Sequence, residues 1–172
     1  MAELLAEFVR RYAERRVPDA RTVVDLWPAD GAPPAEPAGG AVSPPGLVLG
    51  VGPWGSRPGV ASVAGRPPPL RDEAVHVRVL EACLRLAPEG AGLLVLGMGF
   101  VANRRRGGVC ARLGDFGLHV EAMLGLPRGL LIPDSGPGRI LVCIRPGPPR
   151  APVCARLTRD PASIDEPLSR IA

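Results

Sequence analysis

The sequence predicts an α/β fold, in which helices cover both faces of a mostly parallel sheet. Segments with helical spacing of apolar residues alternate along the chain with short runs that are apolar throughout, and this alternation is typical of α/β domains. The short runs lack the polar–apolar alternation of a half-exposed strand, so both faces of the sheet are expected to be buried. At 172 residues, the chain is expected to form a single domain over residues 1–172.

The N-terminal part predicts one helix and two strands. Apolar residues recur at helical spacing over residues 2–16, and Pro18 is expected to end that helix. Thr22–Trp27 is short and β-branched and predicts a buried strand, as does the apolar run Gly46–Val51. Proline- and glycine-rich loops are expected at about 28–45 and 52–69.

The rest of the chain predicts further helices and strands. Residues 70–86 have helical spacing, with one apolar face made by Ala74, Val77, Leu80 and Leu84. The segments that follow are a strand at Leu93–Leu96, a weaker helix at Asn103–Asp115, strands at Val120–Leu126 and Arg139–Arg145, a last strand at Val153–Leu157 and a closing helix at Pro161–Ile171.

Glycine and proline are unusually frequent, with 22 of each in the chain. Residues 28–69 contain 20 of these 44 residues, so we expect a loop-rich insert within a folded domain rather than a disordered chain. The net charge of +4 is weak support for a nucleic-acid partner. No apolar run is long enough to span a membrane, and Glu3 and Glu7 interrupt the N-terminus, so a cytoplasmic protein without a membrane partner is expected.

The four cysteines are Cys83, Cys110, Cys143 and Cys154, and no pair has the Cys-x-x-Cys spacing. We therefore expect neither a zinc site nor a disulfide framework. Because the cysteines lie in apolar stretches, buried thiols in a reducing cytoplasm are expected.

The segment from Glu73 to Pro146 resembles the C-terminal half of the N6-adenine DNA methylases of type I restriction–modification systems. The turn Leu86-Ala87-Pro88-Glu89-Gly90 precedes an apolar strand, Leu126-Pro127-Arg128-Gly129 follows a later one, and Ile140–Arg145 forms the last. The tail at 152–171 is similar to the strand and helix that often follow in that family. The resemblance covers roughly 100 residues and implies a three-layer, Rossmann-like methyltransferase fold.

The catalytic motif of that family is Asn-Pro-Pro followed by an aromatic residue, at the end of a strand. The corresponding residues here are Val51, Gly52, Pro53 and Trp54. Valine stands at the asparagine position and has no polar atom to accept a hydrogen bond from the adenine amino group. The motif is degenerate, and no catalytic residue is expected.

The family's cofactor motif is Asp-Pro-x-x-Gly-x-Gly after the first strand. Aligned with it, this sequence keeps Asp25 and Gly31, while Leu26 replaces the proline and Ala29 replaces the first glycine. Only about 19 residues separate the two motifs, which is too few for the two further strands and crossovers of the family. No S-adenosylmethionine binding is therefore expected.

Loss of those two strands leaves a sheet of about five strands in the order 1-4-5-7-6 in the family's numbering, with the last strand antiparallel. The lost strands occupy one edge of the full sheet, so the remaining five are contiguous. Thr22–Trp27 would then become an edge strand, which soluble proteins normally cover with a loop or a partner.

Other candidate residues have two interpretations each. Trp54 could stack on a base or pack at a rim, and Arg104, Arg105 and Arg106 could bind phosphate or form a solvated helix start. His76 and His119 are favoured as core or surface residues. The pair Asp134-Ser135 has no predicted histidine or lysine partner, so a nucleophilic serine is not favoured.

We therefore expect a catalytically inactive methyltransferase-like domain. It would act through protein contacts, as a homodimer or as the scaffold for a partner subunit, with the edge strand Thr22–Trp27 as its contact surface. One alternative is a DNA-binding module that uses Trp54 and Arg104–Arg106. A second is a divergent S-adenosylmethionine-dependent DNA adenine methyltransferase.

Overall fold

A mixed sheet of six strands, with helices against both faces, organises the computed structural model. The structure describes residues 2–19, 22–26, 43–51, 79–97, 113–128 and 138–171. The strands are β1 (Val23–Asp25), β2 (Leu47–Val51), β3 (Ala91–Gly97), β4 (Leu118–Gly125), β5 (Arg139–Pro146) and β6 (Val153–Arg156).

The spatial order of the strands is β1-β2-β3-β5-β4-β6. β1, β2 and β3 run parallel, and β5 is antiparallel to both of its neighbours, β3 and β4. The order β1-β2-β3-β5-β4 confirms the order predicted for five strands, and β5 is the strand predicted to be antiparallel. The sixth strand, β6, pairs parallel with β4 at the other end of the sheet.

The helix α1 (Ala2–Arg16) has the predicted bounds, and the chain turns at Pro18. The closing helix is divided in two, because residues Pro161–Ile164 form a 3₁₀ helix and α2 (Asp165–Arg170) follows. Asp160 caps the first part, where its side chain accepts a hydrogen bond of 2.9 Å from the Ala162 N–H.

Both α1 and α2 pack on the same face of the sheet. Phe8 and Tyr12 of α1 are fully buried there, against the sheet residue Cys143 and against Leu168 of α2. A buried aromatic side chain contributes about 3–5 kcal/mol against truncation to alanine. The apolar spacing of α1 therefore fixes which face of the helix meets the sheet.

The opposite face of the sheet is covered by the helical segment 79–83 and by a 3₁₀ helix at Leu113–Phe116. Val79 and Cys83 are buried, but Leu84 is 48% exposed. Leu80 packs against the same cluster, as predicted, so the predicted apolar face is wrong in its described part only at Leu84. The segment lies so close to the sheet that a Cβ atom on Gly92 would be 2.9 Å from Cys83 Sγ.

The first strand also differs from its prediction. β1 is three residues long, and Val23 is 54% exposed, so the strand is not buried as expected. Its place at one end of the strand order explains the exposure. The predicted helix at 103–115 lies outside the described residues except for its last part, which is the 3₁₀ helix Leu113–Phe116.

Candidate functional site

Three neighbouring parallel strands have their carboxyl ends on one side of the sheet. The residues aligned above with the catalytic and cofactor motifs lie at two of these strand ends, and we call this place the remnant site. The last residues of the three strands are Asp25 on β1, Val51 on β2 and Gly97 on β3. Asp25 is opposite Leu49 in the register, so Val51 extends two residues further along the sheet. In open α/β sheets, ligands bind beyond the carboxyl ends of the strands, and this edge is therefore the candidate functional site.

Val51 presents a hydrocarbon side chain at this edge. It is the last residue of β2, lies opposite Val95 of β3 and is 41% exposed. Because its side chain has neither a donor nor an acceptor, it cannot orient an amino group. The chemistry available at this position is restricted to apolar contact.

Leu26 changes the end of β1. Its side chain is 3% exposed, and its N–H donates a hydrogen bond of 2.9 Å to the Leu49 carbonyl. Proline, which stands at this position in the methylase motif aligned above, has no N–H and could not make this bond. Leu26 therefore extends the pairing of β1 with β2 past Asp25.

Most of the other predicted site residues lie outside the described part of the chain. These are Ala29, Gly31, Gly52, Pro53, Trp54, Arg104, Arg105, Arg106, His76, Asp134 and Ser135.

A second polar group, which no motif of the sequence indicates, lies near the opposite ends of β2 and β3. It is centred on Glu121 of β4, whose side chain is 12% exposed. The Tyr12 hydroxyl donates to Glu121 Oε2, and Arg16 Nη2 lies 2.7 Å from Glu121 Oε1. Arg145 Nη1 lies 3.7 Å from the same oxygen. One carboxylate thus joins α1 to two strands.

A β-bulge places Glu121 in this group. The register shifts between Val120 and Ala122, so that Ile144 pairs with Val120 and Cys143 with Ala122. The residue inserted between these pairs is Glu121. A bulge of this kind re-aims a side chain, and here the carboxylate contacts Tyr12 on the α1 side of the sheet.

Arg145 has partners on two sides. Its side chain is 9% exposed, and its Nη2 donates to the Glu89 carbonyl at 3.2 Å and lies 3.4 Å from the Glu89 carboxylate. Burial, with the nearby Cys143 and Glu121, raises the pKa of Tyr12, so this phenol stays protonated and continues to donate. The arrangement is a neutralised structural network that attaches α1 to the sheet.

His119 lies beside this network, opposite Arg145 in the register. It is 8% exposed, and burial lowers its pKa below the ordinary value. Gly147 has φ +130°, and a Cβ atom there would be 3.5 Å from His119 Cε1. His119 is therefore a buried histidine that packs against the turn after β5, as predicted.

The described cysteines are of two kinds. Cys83 and Cys143 are buried, and burial raises the pKa of Cys83 to about 12 and that of Cys143 well above its ordinary value. Cys154 is exposed, so the expectation of a buried thiol is wrong for this residue. Its place on β6, at an edge of the sheet, accounts for the exposure. Cys110 lies outside the described residues.

The described residues form neither a metal-binding cluster nor a membrane-spanning helix. No group of three or more histidine, cysteine, aspartate or glutamate residues comes together there in a way that could hold a metal ion. Within the same part of the chain, no helix has the length and apolar character needed to cross a membrane.

Among solved structures, the chain is similar to a candidate class I S-adenosylmethionine-dependent methyltransferase from Listeria monocytogenes. The TM-score is 0.54 with 17% sequence identity over 78% of this chain, and the chain spans 44% of that protein's length. No protein-family model and no curated protein matches the sequence. At this identity the likeness shows the fold, which is a methyltransferase-like α/β fold.

Proposed function

We propose that this chain is a catalytically inactive methyltransferase-like domain that acts through contacts with other protein chains. The resemblance of its C-terminal half to the type I N6-adenine DNA methylases supports an origin in that family. The observation that carries the proposal is Val51, an apolar residue at the end of β2 where a catalytic amide is required.

Methyl transfer to an exocyclic amine requires a polar group that orients the amine and stabilises the charge that develops on it. Val51 supplies neither, although its position at the end of the central parallel strands is the right one for that role. Among the described residues, Asp25 is the one carboxylate that ends a strand at this edge. A carboxylate alone on β1 does not replace an amide on β2.

The end of β1 also supports loss of the cofactor. S-adenosylmethionine binding in the family uses a turn of small residues directly after the first strand, where the backbone approaches the ligand. Here Leu26 continues the hydrogen-bonded pairing with Leu49 and buries its side chain. The strand therefore extends one residue into the segment that would form the turn.

The two end strands of the sheet differ in their protection against pairing. Pro148, Pro149 and Pro152 precede β6, whereas no proline lies in or directly before β1. Prolines of this kind oppose the addition of another strand. β1 instead presents Val23, which is 54% exposed, and we therefore assign the protein contact to β1. Asp25 already makes an interaction of its own, so the assignment is based on Val23.

The experiment is size-exclusion chromatography with light scattering on the full chain at high micromolar concentration. We expect a dimer that Val23→Lys converts to a monomer, because an exposed charge on an edge strand opposes pairing. Cys154→Lys places the same charge on an exposed residue of β6 and should leave the dimer intact. A strict monomer for the unsubstituted chain would count against self-association through β1, and a dimer insensitive to Val23→Lys would place the contact elsewhere.

A further inference from the structure

The outer edge of β1 carries backbone groups that β2 does not use. The Thr22 carbonyl accepts hydrogen bonds of 3.0 and 3.1 Å from the β2 side, and the Leu26 N–H donates one of 2.9 Å to the Leu49 carbonyl. Because the N–H and C=O of successive residues in a strand point to opposite sides, Thr22, Val24 and Leu26 face β2. The N–H and C=O of Val23 therefore point away from the sheet, and no residue that the structure describes hydrogen-bonds to them.

The side chains of β1 differ between the two faces of the sheet. Val24 packs against the core cluster on the side of the helical segment 79–83. Val23 lies opposite Leu47, whose side chain belongs to the core on the α1 side, and Val23 is 54% exposed there. An exposed edge strand with an apolar side chain is a template for pairing with another strand.

A second copy of this chain fits this edge when the two β1 strands run antiparallel. Closed dimers are related by a two-fold axis, so that the same surface of each copy meets the other. An axis perpendicular to the sheet makes the two β1 strands antiparallel and joins the two sheets. In an antiparallel ladder, residues whose backbone groups point outward pair with each other. Within β1, the axis can therefore lie at Val23, Val24 or Asp25.

The side chains of β1 distinguish these three registers. An axis at Asp25 places two aspartates directly opposite each other, which destabilises the pair. An axis at Val24 places Val23 opposite the partner's Asp25, so that an exposed apolar side chain meets a charge. An axis at Val23 brings the two Val23 side chains together, and this register therefore buries the exposed apolar surface of the edge.

The sequence next to β1 agrees with an axis at Val23. Residue 21 is an arginine, and this register pairs its position with the partner's Asp25. Opposite charges across a ladder stabilise it, so the segment is complementary to itself when antiparallel. Asp25 already makes an interaction of its own, and the register is therefore assigned from Val23.

We propose that two copies of this chain pair through antiparallel β1 strands, with the two-fold axis at Val23. The two Val23 residues form a hydrogen-bonded pair, in which each N–H donates to the other's carbonyl. Their side chains contact each other on the α1 side, and the sheet continues from one copy into the next. This inference rests on the proposed contact through β1 and adds the partner, the direction of the strands and the register.

The experiment is disulfide trapping of the full chain with one cysteine placed on β1. The background is a Cys110→Ser, Cys154→Ser variant, in which Cys83 and Cys143 are buried. In the proposed register, the Cα atoms of the two residues 23 lie about 5.5 Å apart, which a disulfide spans, and those of the two residues 24 lie about 8 Å apart, which it does not. With oxidised glutathione, we expect Val23→Cys to form the covalent dimer at least about tenfold faster than Val24→Cys.

Val51→Cys is the matched control, because Val51 is also an exposed valine at a strand end. In this register its two copies lie more than about 25 Å apart, so it should cross-link no faster than Val24→Cys. Light scattering of each variant under reducing conditions separates the dimer from its register. A monomer overturns both the contact through β1 and this inference. A dimer in which Val23→Cys cross-links no faster than Val24→Cys or Val51→Cys overturns the register alone.

Discussion

Replacing Glu121 with alanine tests whether the buried network attaches α1 to the sheet. The change removes the carboxylate that accepts from Tyr12 and pairs with Arg16 and Arg145. Breaking a buried ion pair on one side costs about 3–5 kcal/mol, because the remaining charge stays buried without its partner. Arg145 keeps the Glu89 carbonyl at 3.2 Å and its carboxylate at 3.4 Å, so we expect the lower end, about 3 kcal/mol.

The assay is urea unfolding followed by far-ultraviolet circular dichroism, with thermal unfolding as a second readout. For a chain of this size, a loss of about 3 kcal/mol corresponds to a fall in Tm of about 6–12 °C. Glu14→Gln is the control, since its pair with Arg10 is exposed on both sides and is expected to contribute less than about 1 kcal/mol. A Glu121→Ala chain that loses no more stability than Glu14→Gln would refute the structural role of the network.

Three further predictions concern other buried positions. Gly92→Ala should destabilise the fold by about 1–3 kcal/mol in urea unfolding, because its Cβ would be 2.9 Å from Cys83 Sγ. Adding Cys83→Ala should restore part of the lost stability, and a double variant whose losses are fully additive would contradict the contact. Burial lowers the pKa of His119 below its ordinary value of 6.5, so the unfolded chain binds the proton more readily and the free energy of unfolding should fall as the pH drops below 6.5. Parallel profiles of stability against pH for the unsubstituted chain and His119→Gln would contradict this prediction. In a Cys110→Ser variant at pH 8, a thiol reagent should label Cys154 at once and Cys83 only after unfolding, because burial raises the pKa of Cys83 to about 12. Rapid labelling of more than one thiol in the folded chain would contradict the burial of Cys83.

The sheet was predictable because its central strands are apolar throughout. The segments now seen as β3 and β5 have no alternating pattern, which is the pattern of strands buried on both faces. Their spatial order came from the resemblance to methyltransferases. The edge position of β1 was also predicted from the resemblance, but its burial was not, since composition alone does not distinguish an apolar strand at the edge of a sheet from one at its centre.

The helix ending near residue 84 shows the limit of periodicity. Apolar residues occur on more than one of its faces, so the stripe through Leu80 and Leu84 and the stripe through Val79 and Cys83 were both compatible with a helix. Packing on the sheet buries Val79 and Cys83 and partly buries Leu80, and it leaves Leu84 exposed. This outcome depends on tertiary structure.

The Glu121 network could be predicted only in part. The strand LHVEAMLG contains one acid, Glu121, and the strand RILVCIRP contains one arginine, Arg145, besides its first residue. Charged residues within apolar strands indicate buried charges that need partners. The bulge that turns Glu121 toward Tyr12 has no signature in the period of the strand. The contact also joins residues more than 100 positions apart, which local patterns do not report.

At the remnant site, the substitutions themselves were visible in the sequence, and the structure adds their placement. Val51 ends β2 at the edge where Asp25 ends β1, and Leu26 continues the pairing of β1 with β2 through its own N–H. Val51 places an apolar side chain where the motif has a polar one, and Leu26 lengthens β1. Both changes lie at the carboxyl ends of the parallel strands.

The most direct test of the central claim is an isothermal titration of the full chain with S-adenosylmethionine. We expect no saturable heat, because the sequence of the cofactor motif is altered at Leu26 and Ala29 and no described strand end offers the amide that the transfer requires. A saturable heat that fits one site per chain would contradict it and would favour a divergent but active methyltransferase.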